Sequence, residues 1–150
     1  MGAGVTYECN KCGYIFSKMT GIGYLFPMVY EECIKDARAG KYGEEIKQFL
    51  LQHPDGALNC EKTAYVCEGC GNLVIDYDLT MYLPKKDAKF KDNGYFMPDE
   101  LAENFDVYKK YQHKCESCGG NMRPLKSREI PKCPKCKEKL VQGKSRIMWD

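Results

Sequence analysis

The sequence lacks the features of several common protein classes. No stretch approaches the roughly 18 consecutive apolar residues that a membrane-spanning helix requires, although 43% of the residues are apolar. The first residues do not show a basic segment followed by an apolar one, which is the pattern of a secretory signal. We therefore expect a cytoplasmic protein that does not associate with a membrane.

Motifs of catalysis are missing as well. The chain has no His-Glu-x-x-His, no phosphate-binding loop and no His-x-Glu combined with Pro-Cys-x-x-Cys. Its Gly21-x-Gly23 lacks the third glycine and the preceding strand of a dinucleotide site. We expect the protein not to be an enzyme, and no small-molecule substrate is evident.

Cysteine is abundant in this chain, and its thiol can bind a metal or form a disulfide. The chain has ten cysteines, and in a reducing cytosol such a density indicates metal ligands and not disulfides. Eight of them form four Cys-x-x-Cys pairs, which we call knuckles 1 to 4. The pairs are Cys9/Cys12, Cys67/Cys70, Cys115/Cys118 and Cys133/Cys136.

The spacing within each knuckle suits a tetrahedral zinc ion. Two cysteines three positions apart in a tight turn present both sulfurs to one point, and zinc with Zn–S bonds of about 2.3 Å then needs a second pair opposite. Gly13, Gly71 and Gly119 follow three of the knuckles, where the turn needs a positive φ. The sequence predicts two structural four-cysteine sites, each closed to water and substrate, and thus two zinc ions per chain.

Four knuckles can join in three ways. We expect sequential pairing, knuckle 1 with knuckle 2 and knuckle 3 with knuckle 4, because it closes the shortest loops at the least entropic cost. An interleaved arrangement is the alternative. Iron also accepts four thiolates, so residue types alone do not decide between the two metals.

The knuckles resemble those of zinc ribbons and rubredoxins. The segment 7–14, Tyr-Glu-Cys-Asn-Lys-Cys-Gly-Tyr, is similar to the first knuckle of a rubredoxin, and the layout is similar to that of uncharacterised bacterial tandem zinc-ribbon proteins. The resemblance implies structural metal sites without an activity. For a rubredoxin it implies an iron electron carrier, which is kept as an alternative.

Hydrophobic patterning predicts a small α+β protein with short antiparallel strands, and the resemblance of the knuckles implies that these strands form two zinc ribbons. The first ribbon, residues 1–84, carries a helical insertion at about 17–62. A charged linker follows at 85–97, and a second, basic ribbon spans 98–150. Within the insertion we expect one helix between Pro27 and Gly40, with Val29, Cys33 and Ala37 on one face, and another from near Glu44 to before Pro54.

Further elements follow from the same patterning. Apolar residues alternate with polar ones from Leu73 to Met81, which predicts one half-buried strand. A helical turn is expected at 99–104, a strand at 108–114, and a closing hairpin of 140–141 with 146–149 across Gly143.

Charge is distributed unevenly along the chain. Residues 1–105 contain 11 Lys and Arg against 16 Asp and Glu, whereas residues 106–150 contain 12 against 5. A basic surface with nearby aromatic rings favours DNA or RNA, because cations neutralise phosphates and rings stack on bases. The candidate residues are Lys109, Lys110, Lys126 and Arg128 for phosphates, with Tyr108 and Tyr111 for stacking.

Two other interpretations stay open. The lysines also offset the net charge of −2 that four thiolates and a divalent ion leave at each site. The helical insertion offers a protein–protein adaptor function, although we expect its apolar segment 23–30 to form core. Cys33 and Cys60 are expected to be buried thiols, and His113 is expected not to replace a cysteine ligand.

Overall fold

The computed structural model describes residues 2–89 and 93–149, without the side chain of Ser145. Within those ranges the chain forms nine strands and three helices, and the strand pairs with a defined register are antiparallel. The small α+β class expected from the sequence is confirmed. Part of the predicted linker at 85–97, residues 90–92, lies outside the described residues.

The chain folds into two compact units, and each is assembled from separate stretches. Unit 1 consists of Met1–Gly23, Lys62–Asp76 and Gln112–Asp150, and unit 2 of Tyr24–Glu61 and Tyr77–Tyr111. These units differ from the contiguous domains 1–84 and 98–150 expected from the sequence. All eight knuckle cysteines belong to unit 1.

The first sheet of unit 1 joins residues that are far apart in sequence. It contains β1 (Gly2–Glu8), β2 (Ile15–Thr20) and β9 (Val141–Trp149), in the order β2–β1–β9. Val5 of the central strand lies opposite Lys18 on one side and Arg146 on the other. The β1–β9 pairing therefore places knuckle 1, which follows β1, beside knuckle 4, which precedes β9.

The predicted closing hairpin across Gly143 is wrong. Residues 141–149 form one strand, β9, which pairs with β1 along its length. The register passes from Val5↔Arg146 to Tyr7↔Gln142, so β9 carries a bulge around the glycine. A Cβ at Gly143 would lie 3.2 Å from the carbonyl oxygen of Thr6, so this glycine marks a close approach of two strands and not a chain reversal.

The second sheet of unit 1 carries the other two knuckles. It contains β4 (Lys62–Cys67), β5 (Leu73–Tyr77) and β8 (Met122–Pro124), in the order β5–β4–β8. Cys67, the last residue of β4, lies opposite Met122 of β8. Knuckle 2 thus begins at the end of β4, and knuckle 3 ends just before β8, so the antiparallel pairing places the two knuckles side by side.

The core of unit 1 includes the sulfurs themselves. One buried cluster contains Tyr7, Cys9, Phe16, Ala64, Leu73, Leu125, Cys133 and Leu140, and a smaller one contains Tyr65, Cys67, Cys115 and Met122. These clusters are small, and domains with so little buried apolar surface usually need a metal or another cross-link to be stable.

The helices of unit 2 lie where the sequence places them. α1 (Phe26–Arg38) has Pro27 in its first turn, and Gly40 beyond its end has φ +88°. α2 (Glu44–Gln52) ends before Pro54. Their buried faces contain Phe26, Tyr30, Cys33 and Ala37 in α1, and Ile46, Phe49 and Leu50 in α2. The predicted face is thus confirmed for Cys33 and Ala37.

Unit 2 also contains a three-stranded sheet. Its strands are β3 (Ala57–Leu58), β6 (Met81–Pro84) and β7 (Phe105–Lys109), in the order β3–β6–β7. Leu101 of α3 (Pro98–Asn104) is buried in a cluster with Ala57 and Phe105. The helical turn predicted at 99–104 is confirmed, whereas the strand predicted at 108–114 begins earlier, at Phe105, and ends at Lys109.

The single strand predicted from Leu73 to Met81 is wrong. β5 ends at Tyr77 and β6 begins at Met81, in different sheets. Between them Leu79 has φ +60°, and its N–H donates to the Asn59 carbonyl at 2.8 Å. Because Leu79 is only 1% exposed, the alternation of apolar residues continues through the break. Periodicity alone does not reveal such a reversal.

Candidate metal centres

The four knuckles share one backbone geometry. In each, the N–H of the first cysteine donates to the carbonyl five residues later at 2.7–2.9 Å. The N–H of the residue after the second cysteine donates back to the carbonyl of the first cysteine at 2.8–3.0 Å. These two hydrogen bonds close a tight loop and hold both sulfurs on the same side of it.

The residue after each knuckle has a left-handed conformation. Gly13, Gly71 and Gly119 have φ between +73° and +76°, as the sequence predicts for glycines at this position. Knuckle 4 has Lys137 there instead, with φ +64°. The loop geometry therefore imposes the conformation even where a side chain makes it unfavourable.

The structure brings the eight predicted cysteines together in two groups of four. In each group the sulfurs lie within 4.8 Å of one another. The outer site is formed by Cys9, Cys12, Cys133 and Cys136, and the inner site by Cys67, Cys70, Cys115 and Cys118. Knuckle 1 thus joins knuckle 4, and knuckle 2 joins knuckle 3.

This nested arrangement corrects the sequential pairing expected from the sequence. The physical reason lies in the sheets, because β1 pairs with β9 and β4 pairs with β8, and each pairing carries two knuckles to the same place. The entropy of loop closure opposes the nested pairing only weakly. Joining Cys12 to Cys133 spans 121 positions, against 55 to Cys67, and costs only about 0.7 kcal/mol more in closure entropy.

The sulfur positions fit a tetrahedral ion. A tetrahedral site with Zn–S bonds of about 2.3 Å has sulfurs about 3.8 Å apart. The Sγ–Sγ distances are 3.4 Å for Cys67–Cys118, 3.7 Å for Cys70–Cys115 and 3.6 Å for Cys12–Cys133. Each site could therefore hold one metal ion with little movement, and four protein ligands leave no coordination position for a substrate.

Backbone N–H groups of the knuckles favour the thiolate form. The N–H of Cys136 donates to the Cys133 sulfur at 3.4 Å. Burial raises the pKa of the Cys133 thiol, but the N–H groups of Cys136 and Lys135 outweigh it and lower the pKa to about 7. The Cys118 N–H is the main cause that lowers the pKa of Cys115 to about 6, against burial. In the same sites a hydrogen bond with Cys12, and then burial, raise the pKa of Cys136 to about 12. Against the Asn72 N–H, burial and neighbouring thiols raise the pKa of Cys70 to about 11. One cysteine of each pair in contact is thus ready to lose its proton at neutral pH, and a divalent ion has to displace the proton of the other.

Lys137 connects the two sites within unit 1. Its ammonium donates to the carbonyl of Cys70 at 2.6 Å and to that of Pro134 at 3.0 Å. The side chain thus reaches from knuckle 4 of the outer site to knuckle 2 of the inner site. Lys137 was not among the site residues predicted from the sequence, although the missing fourth glycine was a signal that could have identified it.

Bound metal would cancel much of the positive charge of unit 1. This unit contains 13 Lys and Arg against 7 Asp and Glu, which gives +6. Two divalent ions, each held by four thiolates, contribute −2 apiece and leave +2. The overall charge is therefore a weak argument for a polyanionic partner, and the positions of the cations matter more.

The remaining cysteines and His113 lie outside the two sites. Cys33 and Cys60 in unit 2 are 1% and 2% exposed, which confirms the expectation of buried thiols. A hydrogen bond with Cys33, and then burial, raise the pKa of Cys60. His113 stacks on Tyr65 with ring centroids 4.0 Å apart and joins neither four-cysteine group among the described residues.

The residues predicted to bind nucleic acid are divided between the two units. Lys126 and Arg128 are exposed in unit 1. The other four candidates, Tyr108, Lys109, Lys110 and Tyr111, belong to unit 2. There the ring of Tyr108 lies 5.0 Å from that of Phe49, and Lys109 pairs with Glu45 at 3.0 Å. The six residues therefore do not form one surface within either unit.

Comparison with known proteins adds no further assignment. No family model matches the chain, and no curated protein or solved structure matched it either. Among the described residues, no helix combines the length and the apolar character needed to cross a membrane. The two groups of four cysteines are thus the features from which a function has to be argued.

Proposed function

We propose that the protein is a non-catalytic zinc protein of the zinc-ribbon type. Two zinc ions build unit 1, and the surface of this unit binds nucleic acid in the cytoplasm. Zinc is preferred over iron because it needs no redox partner and is the usual ion of closed four-cysteine structural sites. The nested knuckles support a structural role, because each ion joins two strands that are distant in sequence.

One observation favours nucleic acid as the partner. Among the described residues, Arg123 is the only cation of unit 1 in an ion pair with a carboxylate, at 2.7 Å from Glu129. Lysines and arginines without carboxylate partners are available for phosphates, and phosphate neutralisation supplies most of the affinity in non-specific binding.

Metal analysis tests the first part of the proposal. The protein purified without added metal should contain two zinc ions per chain and have no absorption band in the visible. One ion per chain, or the visible charge-transfer band of an iron–thiolate centre, would contradict it. The second result would instead support the electron carrier.

A matched pair of charge reversals tests the second part. The zinc-loaded chain should bind an oligonucleotide at low salt, and log K should fall linearly with log salt concentration. Reversal of Lys126 and Arg128 in unit 1 to Glu should weaken binding. The same change at Lys109 and Lys110 in unit 2 should leave it unaltered. Failure of the unaltered protein to bind at low salt would end this proposal.

A second candidate function rests on an exposed apolar patch in unit 2. Phe26 and Tyr30 are buried, as expected for core, but Tyr24, Leu25 and Met28 beside them are 83%, 55% and 66% exposed. Such a patch suits a protein–protein adaptor. If the adaptor function is correct, a partner should cross-link to a photoreactive residue at Met28, and Tyr24→Ser with Leu25→Ser should abolish the cross-link without loss of zinc.

A further inference from the structure

Unit 1 has a groove that neither metal site uses. Its volume is about 690 Å³, and it lies over one face of the β2–β1–β9 sheet. Lining residues include Val5, Lys18, Arg128, Arg146 and Met148. No acidic residue is among those that line it. The groove is therefore a concentrated positive surface within a unit whose zinc-loaded charge is close to neutral.

The register of the sheet explains why the cations meet there. Lys18, Val5 and Arg146 form one cross-strand row, and Thr20, Ala3 and Met148 form the next row on the same face. Lys18 and Arg146 stand two strand spacings apart, or about 9–10 Å. Arg128 belongs to the turn that follows β8, and no ion pair joins any of the three cations to a described carboxylate.

The groove continues the face that forms the core. At one end of the sheet Tyr7 and Phe16 lie opposite each other on this face and are buried. Towards the other end the same face is left open above Ala3 and Val5. An apolar floor of small side chains therefore runs between two cations, with the exposed thioether of Met148 beside it.

From this arrangement we infer that the groove binds a single-stranded nucleic acid without sequence preference, an inference that rests on the function proposed above. Lys18, Arg128 and Arg146 contact phosphates, and the bases lie against the apolar floor and remove it from water, with the sulfur of Met148 next to their rings. We infer a single strand as the occupant because its bases are unpaired and can lie against the apolar floor, whereas the bases of a duplex are paired and stacked inside it.

Two matched double substitutions test the groove in the full-length, zinc-loaded protein. K18Q/R146Q removes two groove cations, whereas K139Q/K144Q removes two lysines of unit 1 that do not line the groove. Binding of a single-stranded oligonucleotide is measured over a salt series. Two lost phosphate contacts should reduce the slope of log K against log salt by about 1.4 and the affinity at 0.1 M salt by about 25-fold. The K139Q/K144Q protein should change by less than about threefold.

The possible outcomes distinguish binding in the groove from the broader proposal that unit 1 binds nucleic acid. If both variants lose affinity equally, the proposed binding in the groove is wrong, and general electrostatic binding to unit 1 remains. If the unaltered protein binds no oligonucleotide, both fail. Tighter binding of the matching duplex, or equal binding of polyglutamate, would also overturn the groove as a single-strand site. Zinc content at two per chain and an unchanged circular dichroism spectrum show that the variants are folded.

Discussion

Lys137 offers a direct test of the strain that the knuckle geometry imposes. A residue with a Cβ in the left-handed region is destabilised by about 1–2 kcal/mol. Glycine avoids this strain but has about 0.4–1 kcal/mol more conformational entropy to lose on folding. Lys137→Gly should therefore be more stable than Lys137→Ala by about 1 kcal/mol. Both substitutions remove the ammonium that bonds to the Cys70 carbonyl, so their difference isolates the backbone term.

The measurement is chelator competition for zinc. Since folding of the knuckle and metal binding are coupled, about 1 kcal/mol corresponds to roughly fivefold in apparent zinc affinity, with Gly above Ala. Gly119→Ala is the control in the opposite direction and should lower the zinc affinity. A Cβ at this position would meet no described atom within 4 Å, so the backbone angle φ of +73° is what makes the substitution unfavourable. Equal affinities for the two Lys137 variants, or a neutral Gly119→Ala, would refute this reasoning.

Further predictions concern the stability of both units. The hydrogen bond with Arg123 lowers the pKa of Glu129 to about 2, so this carboxylate stabilises unit 1 above pH 4.5 and loses the effect as the pH falls towards 2. Because the pair is partly exposed, a double-mutant cycle of Arg123 and Glu129 at pH 7 should give a coupling energy of at most about 1 kcal/mol. Protons compete with zinc for the thiolates, and the Cys118 N–H lowers the pKa of Cys115 to about 6, so zinc affinity should fall as the pH is lowered below 6 in a titration with a colorimetric chelator; an affinity unchanged between pH 7 and pH 4 would contradict this. Cys33→Ser should keep both zinc ions and destabilise unit 2 by about 1–3 kcal/mol in chemical denaturation, because the hydroxyl is buried; loss of a metal would make Cys33 a ligand. Gly143→Val should lower the melting temperature through the contact with Thr6, whereas an unchanged value would show that the bulge accommodates a side chain.

The knuckles themselves could be predicted from the sequence because they are local. Six consecutive residues contain both cysteines, the turn and both hydrogen bonds, so Cys9-Asn-Lys-Cys-Gly-Tyr14 and its repeats indicate the geometry without reference to the rest of the chain. The helices of unit 2 were equally accessible, since Pro27, Gly40 and Pro54 mark where they begin or end.

The partners of the knuckles could not be predicted in the same way. Loop-closure entropy differs by less than about 1 kcal/mol between the sequential and nested joining of Cys12. The deciding term is the pairing of β1 with β9, which involves residues about 140 positions apart and leaves no local trace. Gly143 shows the same limit, because a glycine between two apolar segments gives the same sequence pattern whether the chain forms a hairpin turn or a bulge there.

The nested arrangement also decides which fragments are useful. A 98–150 fragment, which the sequence suggested as a separate ribbon, contains one half of each site and no complete group of four cysteines. We expect such a fragment not to reproduce either native site, so experiments on metal or nucleic acid need the full chain.

The nested pairing of the knuckles can be tested by identifying which cysteines share an ion. With zinc replaced by a spin-active cadmium isotope, scalar couplings between each metal and the cysteine β-protons assign the ligands of each site. We expect one ion coupled to Cys9, Cys12, Cys133 and Cys136, and a second coupled to Cys67, Cys70, Cys115 and Cys118. An ion coupled to both knuckles 1 and 2, or to both knuckles 3 and 4, would contradict it.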